Sequence, residues 1–294
     1  MAYDGHKFGG HWTEEKLRFL NEYINAYTIA LKNQPFDLHY IDGFAGTGER
    51  TVTEEKSLFN DEERRVVFDG SVKLALDISR QFDHYHFIDL NPIHIKQLNE
   101  IKQQYKNTDI SIYQSDANEL VIELCHSIDW KKNRAVLFLD PYGMEVDWET
   151  LSNVSNTKAI DMWFLFPLSG LFRNAPNKKS SLDQGKVAAL NRILGTDEWH
   201  KAFYAPKPIG EMGDLFADPI FSEEPEEYRQ MNVEELEAWV TKRLSTIFPY
   251  VLEPITLKRN NIPMFTLFFA VSNPSHRALG LAKKISSAIR EKLL

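Results

Sequence analysis

The chain has one cysteine, Cys125, among its 294 residues. That excludes an intramolecular disulfide, and the apolar neighbours in VIELC predict a buried thiol. With no second cysteine and nine scattered histidines, no spacing suits a metal ion, and none is expected. No stretch approaches the roughly 20 apolar residues of a membrane span. The opening residues, MAYDGHKFGGHWTEEK, lack the apolar centre of an export signal. A cytoplasmic setting without a membrane is therefore expected. Repeats of fixed period and low-complexity segments are also absent.

Positive charge is in short supply overall but not everywhere. The net charge is −8, with 42 acids against 34 bases. Residues 205–240 hold ten acids and two bases, whereas residues 241–294 hold nine bases and two acids. Residues 168–201 carry six bases and three acids. Such a balance disfavours indiscriminate nucleic-acid binding yet leaves room for a basic face. A solvated surface is the plainer explanation of the same numbers.

Residues 13–33 place Leu17, Leu20, Tyr23, Ile24 and Tyr27 at helical spacing, with Thr13 as a candidate N-cap. Short apolar strands follow: LHYIDGF, HYHFIDL, DISIYQ, AVLFLD and AIDMWFLFPL. Helical patterns separate them: SVKLALDISRQF, PIHIKQLNEIKQQY and ANELVIELCHSI. This alternation predicts an α/β fold, a doubly wound, mostly parallel sheet covered on both faces. Near the end, VEELEAWVTKRLSTIF reads as a helix, YVLEPITLKR and PMFTLFFAVS as an antiparallel hairpin, and HRALGLAKKISSAIREKLL as a last helix. Residues 1–294 read as a single domain with insertions at about 51–70 and 168–230. The second insertion is rich in Pro, Gly, Asn and charge and follows a strand end, so it reads as a binding surface.

The stretch YIDGFAGTG, residues 40–48, loses its side chains where the first strand ends. Glycine there removes a Cβ that would block a ligand and permits a tight turn. Backbone N–H groups of the turn and the following helix can then face a polar group, and Asp42 can accept from an ammonium. The candidate ligand-holding residues are Asp42, Gly43, Phe44, Ala45, Gly46 and Gly48. Asp89 ends the second strand in HFIDLN, where an acid can hold both hydroxyls of a ribose, or cap the helix begun at Pro92. Asp116, in QSDANEL, can accept from an adenine amino group beside the Ala117 amide, or cap its own helix. Three polar features at three successive strand ends describe a nucleoside site. The fourth strand ends in FLDPYG, where Asp140 and the Pro141 carbonyl can accept from a planar amine and Tyr142 can stack on its ring. Asp-Pro followed by Gly is also turn chemistry.

Taken together, YIDGFAGTG, HFIDLN, QSDANEL and FLDPYG resemble the motifs of class I S-adenosylmethionine-dependent methyltransferases. The resemblance implies a Rossmann-like sheet of seven strands with an antiparallel C-terminal hairpin, and S-adenosylmethionine as cofactor. The FAGxG form and a DPPY-like fourth motif resemble amino-methyltransferases of nucleic-acid bases. DPYG lacks the second proline and is closer to the DPFG of tRNA guanine dimethyltransferases. A nearer resemblance is to the three-Cys-motif partner protein family, TcmP. It rests on YIDGFAG, Gly70-Ser71 before Ala75 and Leu76, FLDPYG followed by Trp148, and FLFPLSGLFR with Arg173, and it covers roughly residues 10–175. That resemblance implies a partner, a three-Cys-motif protein similar to radical S-adenosylmethionine enzymes.

Methyl transfer to an exocyclic amino nitrogen of a nucleobase in RNA or DNA is the leading expectation. Asp140, Pro141 and Tyr142 would be catalytic, and Arg173, Lys178 and Lys179 would meet phosphates. Trp163, Phe164 and Phe166 are candidates for stacking or for core packing. The alternatives are a methyltransferase of a small molecule or protein, and a non-catalytic, cofactor-binding partner subunit. Three further expectations remain. His84 and His86 share one side of a strand at a sheet edge or surface, EEPEEY at 223–228 is a solvated loop, and Ser71 either caps a helix or borders the cofactor.

Overall fold

The computed structural model describes residues 11–53, 65–206 and 226–293. In chain order the elements are α1 (His11–Leu31), β1 (Asp37–Asp42), β2 (Glu49–Thr53), β3 (Arg65–Asp69), α2 (Ser71–Leu76), β4 (His84–Asp89), α3 (Pro92–Lys102), β5 (Ile110–Gln114), α4 (Ala117–Ser127) and β6 (Asn133–Leu139). There follow α5 (Trp148–Asn156), β7 (Ile160–Phe166), α6 (Leu168–Asn174), α7 (Gln184–Leu194), α8 (Trp199–Phe203), β8 (Tyr204–Pro206), β9 (Glu227–Arg229), α9 (Val233–Leu244), β10 (Tyr250–Val251), β11 (Ile255–Arg259), β12 (Ile262–Val271) and α10 (His276–Leu293).

One sheet organises them, in the order β5-β4-β1-β6-β7-β12. Strands β5, β4, β1, β6 and β7 are parallel, and β12 runs antiparallel to β7. Both β10 and β11 pair with β12 along its outer edge, so eight strand segments fill seven positions. The expected α/β sheet and its antiparallel hairpin are therefore present. Parallel strands are buried on both faces because helices cover them. On one side lie α1, α2, α3 and α10, packed on Tyr40, Tyr85, Phe87 and Phe138. On the other lie α4 to α9, packed on Ile41, Leu137, Leu139 and Phe164. Cys125 belongs to this second core and is buried, as expected.

Several local expectations need correction. Helix α1 begins at His11, so Thr13 lies inside it and does not cap it. The glycine turn feeds the β2–β3 hairpin, not a helix. Gly70 caps α2, and Ser71 is its first helical residue. YVLEPITLKR is two strands, because the stretch around Pro254 interrupts the ladder. Much of 168–203 is helical rather than loop, since Leu190, Ile193, Leu194, Trp199 and Phe203 give it a stripe that the core buries. Trp163, Phe164 and Phe166 are core residues at 1–2% exposure and offer no stacking surface.

Strand β4 lies inside the sheet, so His84 and His86 are not at an edge. His86 is buried, and its Nε2 lies 3.0 Å from His39 Nδ1. Asn133 fixes the tautomers. Its amide nitrogen donates to the Asp129 carbonyl, leaving its oxygen, 2.9 Å from His39 Nε2, to accept. His39 then accepts from His86 Nε2–H, and His86 Nδ1 faces the Tyr113 hydroxyl at 3.3 Å. Both rings are neutral in this chain of bonds. Burial, reinforced by the neighbouring histidines, pushes His86 from 6.5 down to about 4.

A depressed histidine contributes stability that is complete above pH 6.5 and is lost as pH falls through about 4. Two buried carboxyls act in the opposite sense. Asp42 and Asp161, raised mainly by burial from 3.8 to about 7, contribute stability that is complete below 3.8 and is lost as pH rises through 7. Two raised carboxyls outweigh one depressed histidine, so together these three groups should make the parent less stable as pH rises from 4 to 7. His86→Gln removes one slope, so the gap between variant and parent should narrow by on the order of 3 kcal/mol from pH 7 to pH 4. Urea unfolding at both pH values checks this, and a constant gap contradicts it.

Candidate functional site

Parallel topology carries Asp89, Asp42 and Asp140 to the carboxyl ends of three adjacent strands, β4, β1 and β6. Asp116 follows β5, the next strand outward. The four acids therefore share one edge of the sheet, as the sequence suggested.

The glycine turn is held differently from expectation. Gly43 N–H donates to the Phe138 carbonyl, Phe44 N–H to Asp42 Oδ1, Ala45 N–H to the Ile88 carbonyl and Gly46 N–H to Asp89 Oδ2. Gly48 N–H turns back to the Ala45 carbonyl. These amides lock the turn to β6 and β4, so they are not free to grip a ligand. Gly46 adopts φ +59 with open space where a Cβ would stand. Gly48 adopts φ +74, and a Cβ there would lie 2.5 Å from Ile101 Cδ1. At Gly43 the obstacle is Leu139 Cδ2, at 2.7 Å. Of the three, Gly46 alone borders unfilled space; the other two make room for the protein's own packing.

Asp42 is fully buried, and its Oδ2 has no hydrogen-bond partner. The hydroxyl of Tyr40, two residues before it on the same strand face, is likewise buried and interacts with Asp42 without a hydrogen bond of ordinary geometry. Desolvation raises Asp42 to about 7, the Ser71 hydroxyl draws it back, and Asp140 and Asp89 add to the rise. Ser71 thus borders the site and does not cap α2. Burial, then the charge of Asp42, raises the Tyr40 phenol well above its ordinary value.

Sequence reasoning missed Lys16. Its Nζ, buried at the start of α1, donates to Asp140 Oδ2. This ion pair closes α1 over the end of β6, and it leaves Asp140 Oδ1 outside the pair. A signal existed: Lys16, Leu20, Tyr23 and Tyr27 fall on one helical stripe, so the lysine interrupts an apolar face. Asp89 is almost fully buried and accepts from Asn91 N–H as well as Gly46 N–H. His94 Nδ1 stands 3.0 Å from its Oδ2. The cap of α3 is Asn91, not Asp89. Asp116 does cap α4, accepting from Asn118 and Glu119 through Oδ1, and Ala117 is the first residue of that helix.

Pro141 is buried and Tyr142 stands 66% exposed. Partial desolvation, then the charges of Asp89, Asp140 and Glu145, raises the Tyr142 phenol, which places its ring among these acids. Leu90 and Ile93, 68% and 66% exposed, add apolar surface beside Asp89. They too were missed, although two exposed aliphatics flanking a strand-end acid are unusual in a turn. Arg173 is exposed on α6. Lys178 pairs with Glu226 at 3.0 Å, and Lys179 pairs with Glu227. The acidic run is therefore not a merely solvated loop where it is described; its residues 223–225 lie outside the described residues. No cluster of His, Cys, Asp and Glu among the described residues suits a metal ion.

Neither a protein-family model nor a curated protein sequence matches the chain. Among solved structures, it is similar to protein LPL1258 from Legionella pneumophila str. Philadelphia 1, described under the family model DUF519. That likeness has 11% identity, covers 96% of this chain and 92% of the other, and has a TM-score of 0.51. Weaker likenesses include the magnesium protoporphyrin IX methyltransferase ChlM from Synechocystis PCC 6803 with bound SAH, at 11% identity, 91% and 89% coverage and TM-score 0.36. The CurJ carbon methyltransferase is matched at 14% identity, 86% and 54% coverage and TM-score 0.38. The fold, with its reversed strand β12 beside β7, is the class I methyltransferase fold. No helix among the described residues is long and apolar enough to cross a membrane.

Proposed function

We propose that this protein transfers a methyl group from S-adenosylmethionine to an exocyclic amino nitrogen of a nucleobase in RNA or DNA. The observation that carries this reading is the fully buried carboxyl of Asp42, whose Oδ2 makes no hydrogen bond of ordinary geometry, set between Asp89 and Asp140 beside the open space at Gly46. A buried acceptor without a donor is costly unless a ligand completes it. S-adenosylmethionine would bring a cationic ammonium and an electrophilic methyl sulfonium. Asp42 would face the cation, Asp89 the ribose, and Asp116 with the Ala117 amide the adenine, whose faces Leu90 and Ile93 would cover. Asp140 Oδ1 and the Pro141 carbonyl would hold the acceptor amine, and Tyr142 would stack on its ring. As the nitrogen gains its methyl it sheds a proton, and Asp140 Oδ1 is available to take it.

The motifs shared with TcmP support a finer placement in that family, with a three-Cys-motif protein as partner. A second reading, methylation of a small molecule or a protein side chain, is favoured by the net charge of −8. A non-catalytic, cofactor-binding partner subunit would bind the nucleoside and transfer nothing.

Calorimetric titration with S-adenosylhomocysteine tests the site through Asp42. Its carboxyl sits at about 7 in the free protein, and the ammonium of the ligand favours its ionised form. Affinity should therefore rise roughly tenfold per pH unit up to about 7 and level off above it. In Asp42→Asn that slope should vanish. Binding that ignores pH in the parent refutes the role of Asp42, and no binding at millimolar ligand refutes the cofactor. Incubation with labelled S-adenosylmethionine and total RNA or DNA then separates an enzyme from a silent partner subunit.

A further inference from the structure

The loop between β6 and α5 carries Pro141, Tyr142 and Gly143, and side chains from three helices, α4, α6 and α7, hold it. Asn118, in the first turn of α4, is the most heavily bonded of them. Its Nδ2 donates to the Glu145 carbonyl at 2.9 Å, and its Oδ1 accepts from Asp147 N–H at 2.9 Å and from the Thr150 hydroxyl at 2.8 Å. These partners fix the orientation of the amide, because a carbonyl can only accept and a backbone N–H can only donate. Arg192 of α7 donates to the Met144 carbonyl at 2.7 Å and pairs with Asp147 at 3.2 Å. Asn174 of α6 donates to the Met144 sulfur at 3.2 Å.

The bonds of Asn118 continue in both directions. Its backbone N–H donates to Asp116 Oδ1 at 2.8 Å, and Asp116 is the residue proposed for the adenine. On the other side, Glu145 Oε2 accepts from Tyr142 N–H at 3.2 Å. Asp116, Asn118, Glu145 and Tyr142 therefore form a connected series, from the nucleoside end of the site to the ring proposed for the acceptor. Its central link, from Asn118 to Glu145, joins residues 27 positions apart. The Tyr142 ring is 66% exposed, so its aim follows the backbone of the loop more than the packing around it. Arg192 and Asn174 brace the same loop through Met144 and Asp147, from helices that follow β7.

We infer that Asn118 is a positioning residue that couples the two halves of the site: cofactor held at Asp116 orders the loop carrying Tyr142, so the acceptor binds after the cofactor. The inference rests on the proposed function and adds to it an order of binding. Asp116 Oδ1 is engaged in the cap of α4, which leaves Oδ2 to accept from the adenine. A ligand bond there holds the Asp116 side chain, and with it the first turn of α4 that presents Asn118. The loop then loses freedom that the acceptor would otherwise have to remove.

The test is hydrogen–deuterium exchange of the full chain, read on peptides covering residues 141–147, with and without S-adenosylhomocysteine. In the parent the ligand should slow exchange of this loop at least about fivefold. Asn118→Ala should keep the parent's ligand affinity, since the cap of α4 uses the backbone N–H of residue 118, yet its loop should exchange at one rate with and without ligand. Asn118→Asp keeps an oxygen for Asp147 and Thr150 and loses the donor to Glu145, so it reads the same coupling if the alanine variant does not fold. Arg192→Ala is the control for bracing alone: exchange should rise in both states, and the ligand should still slow it. A parent that binds the ligand without slowing the loop overturns the inference. So do Asn118 variants whose loops respond as in the parent, or an Arg192→Ala protein that loses the response equally. A parent that fails to bind S-adenosylhomocysteine instead strikes the proposed function itself, so the two failures are distinct.

Discussion

Asp140→Asn is expected to lower methyl transfer roughly 10²–10³-fold with little change in S-adenosylhomocysteine affinity. The amide keeps the shape of the carboxylate but loses the charge that orients the amine and takes up its proton. Lys16→Met should lower transfer as well, for a different reason. It strands Asp140 beside two other acids, Asp42 and Asp89. Breaking a fully buried pair costs about 3–5 kcal/mol; Asp140 is 25% exposed, so about 2 kcal/mol of stability is expected to go. Lys16→Arg should retain much of both properties. The double variant Lys16→Met/Asp140→Asn is the decisive one. Removing both charges should restore stability towards the parent while transfer stays lost, so the cycle separates holding the fold from serving the reaction. Urea melts and labelled-methyl transfer read the two quantities. Parent-like transfer by Asp140→Asn would end the catalytic assignment.

The sheet was legible because its cues are local. Alternating strands and helices, each with its own apolar period, predict parallel pairing with cover on both faces, and β1, β4, β5, β6 and β7 follow that rule. The meeting of Asp42, Asp89 and Asp140 was legible too, since parallel strands bring their carboxyl ends to one edge. What stayed hidden depends on contacts between distant residues. Lys16 and Asp140 are 124 positions apart, and the sequence around Lys16 shows only a helix. His39 and His86 look like scattered surface histidines until β1 and β4 align them. Lys178 and Lys179 read as open phosphate contacts because their glutamates, Glu226 just before β9 and Glu227 at its start, come 48 residues later. The glycine turn misled in a subtler way. Its composition signals close approach, but whether a ligand or the protein itself makes that approach depends on the neighbours.

That distinction sets the last expected result. Gly46→Ala and Gly48→Ala both place an L side chain at positive φ, +59 and +74, which costs roughly 1–2 kcal/mol each. At Gly48 the new methyl also meets Ile101 Cδ1 at 2.5 Å, with Leu98 Cδ2 and Val72 Cβ at 3.5 Å. Ile101 and Leu98 are core residues of α3 and Val72 is one of α2, so displacement adds an overpacking cost of about 1–3 kcal/mol. Gly48→Ala should therefore lose roughly 2–5 kcal/mol in urea unfolding, and its ligand affinity should fall only as far as the fold weakens. Gly46→Ala meets nothing within 4 Å, so its stability should drop by the conformational cost alone. Its methyl would instead occupy the space beside Asp42 and Asp89. S-adenosylhomocysteine affinity should then fall about tenfold or more, since a methyl group in a closely fitted site displaces or strains the ligand. Two glycines two residues apart are thus expected to fail in different assays. Equal losses of stability with unchanged affinity would show that the turn serves packing throughout and that the nucleoside lies elsewhere.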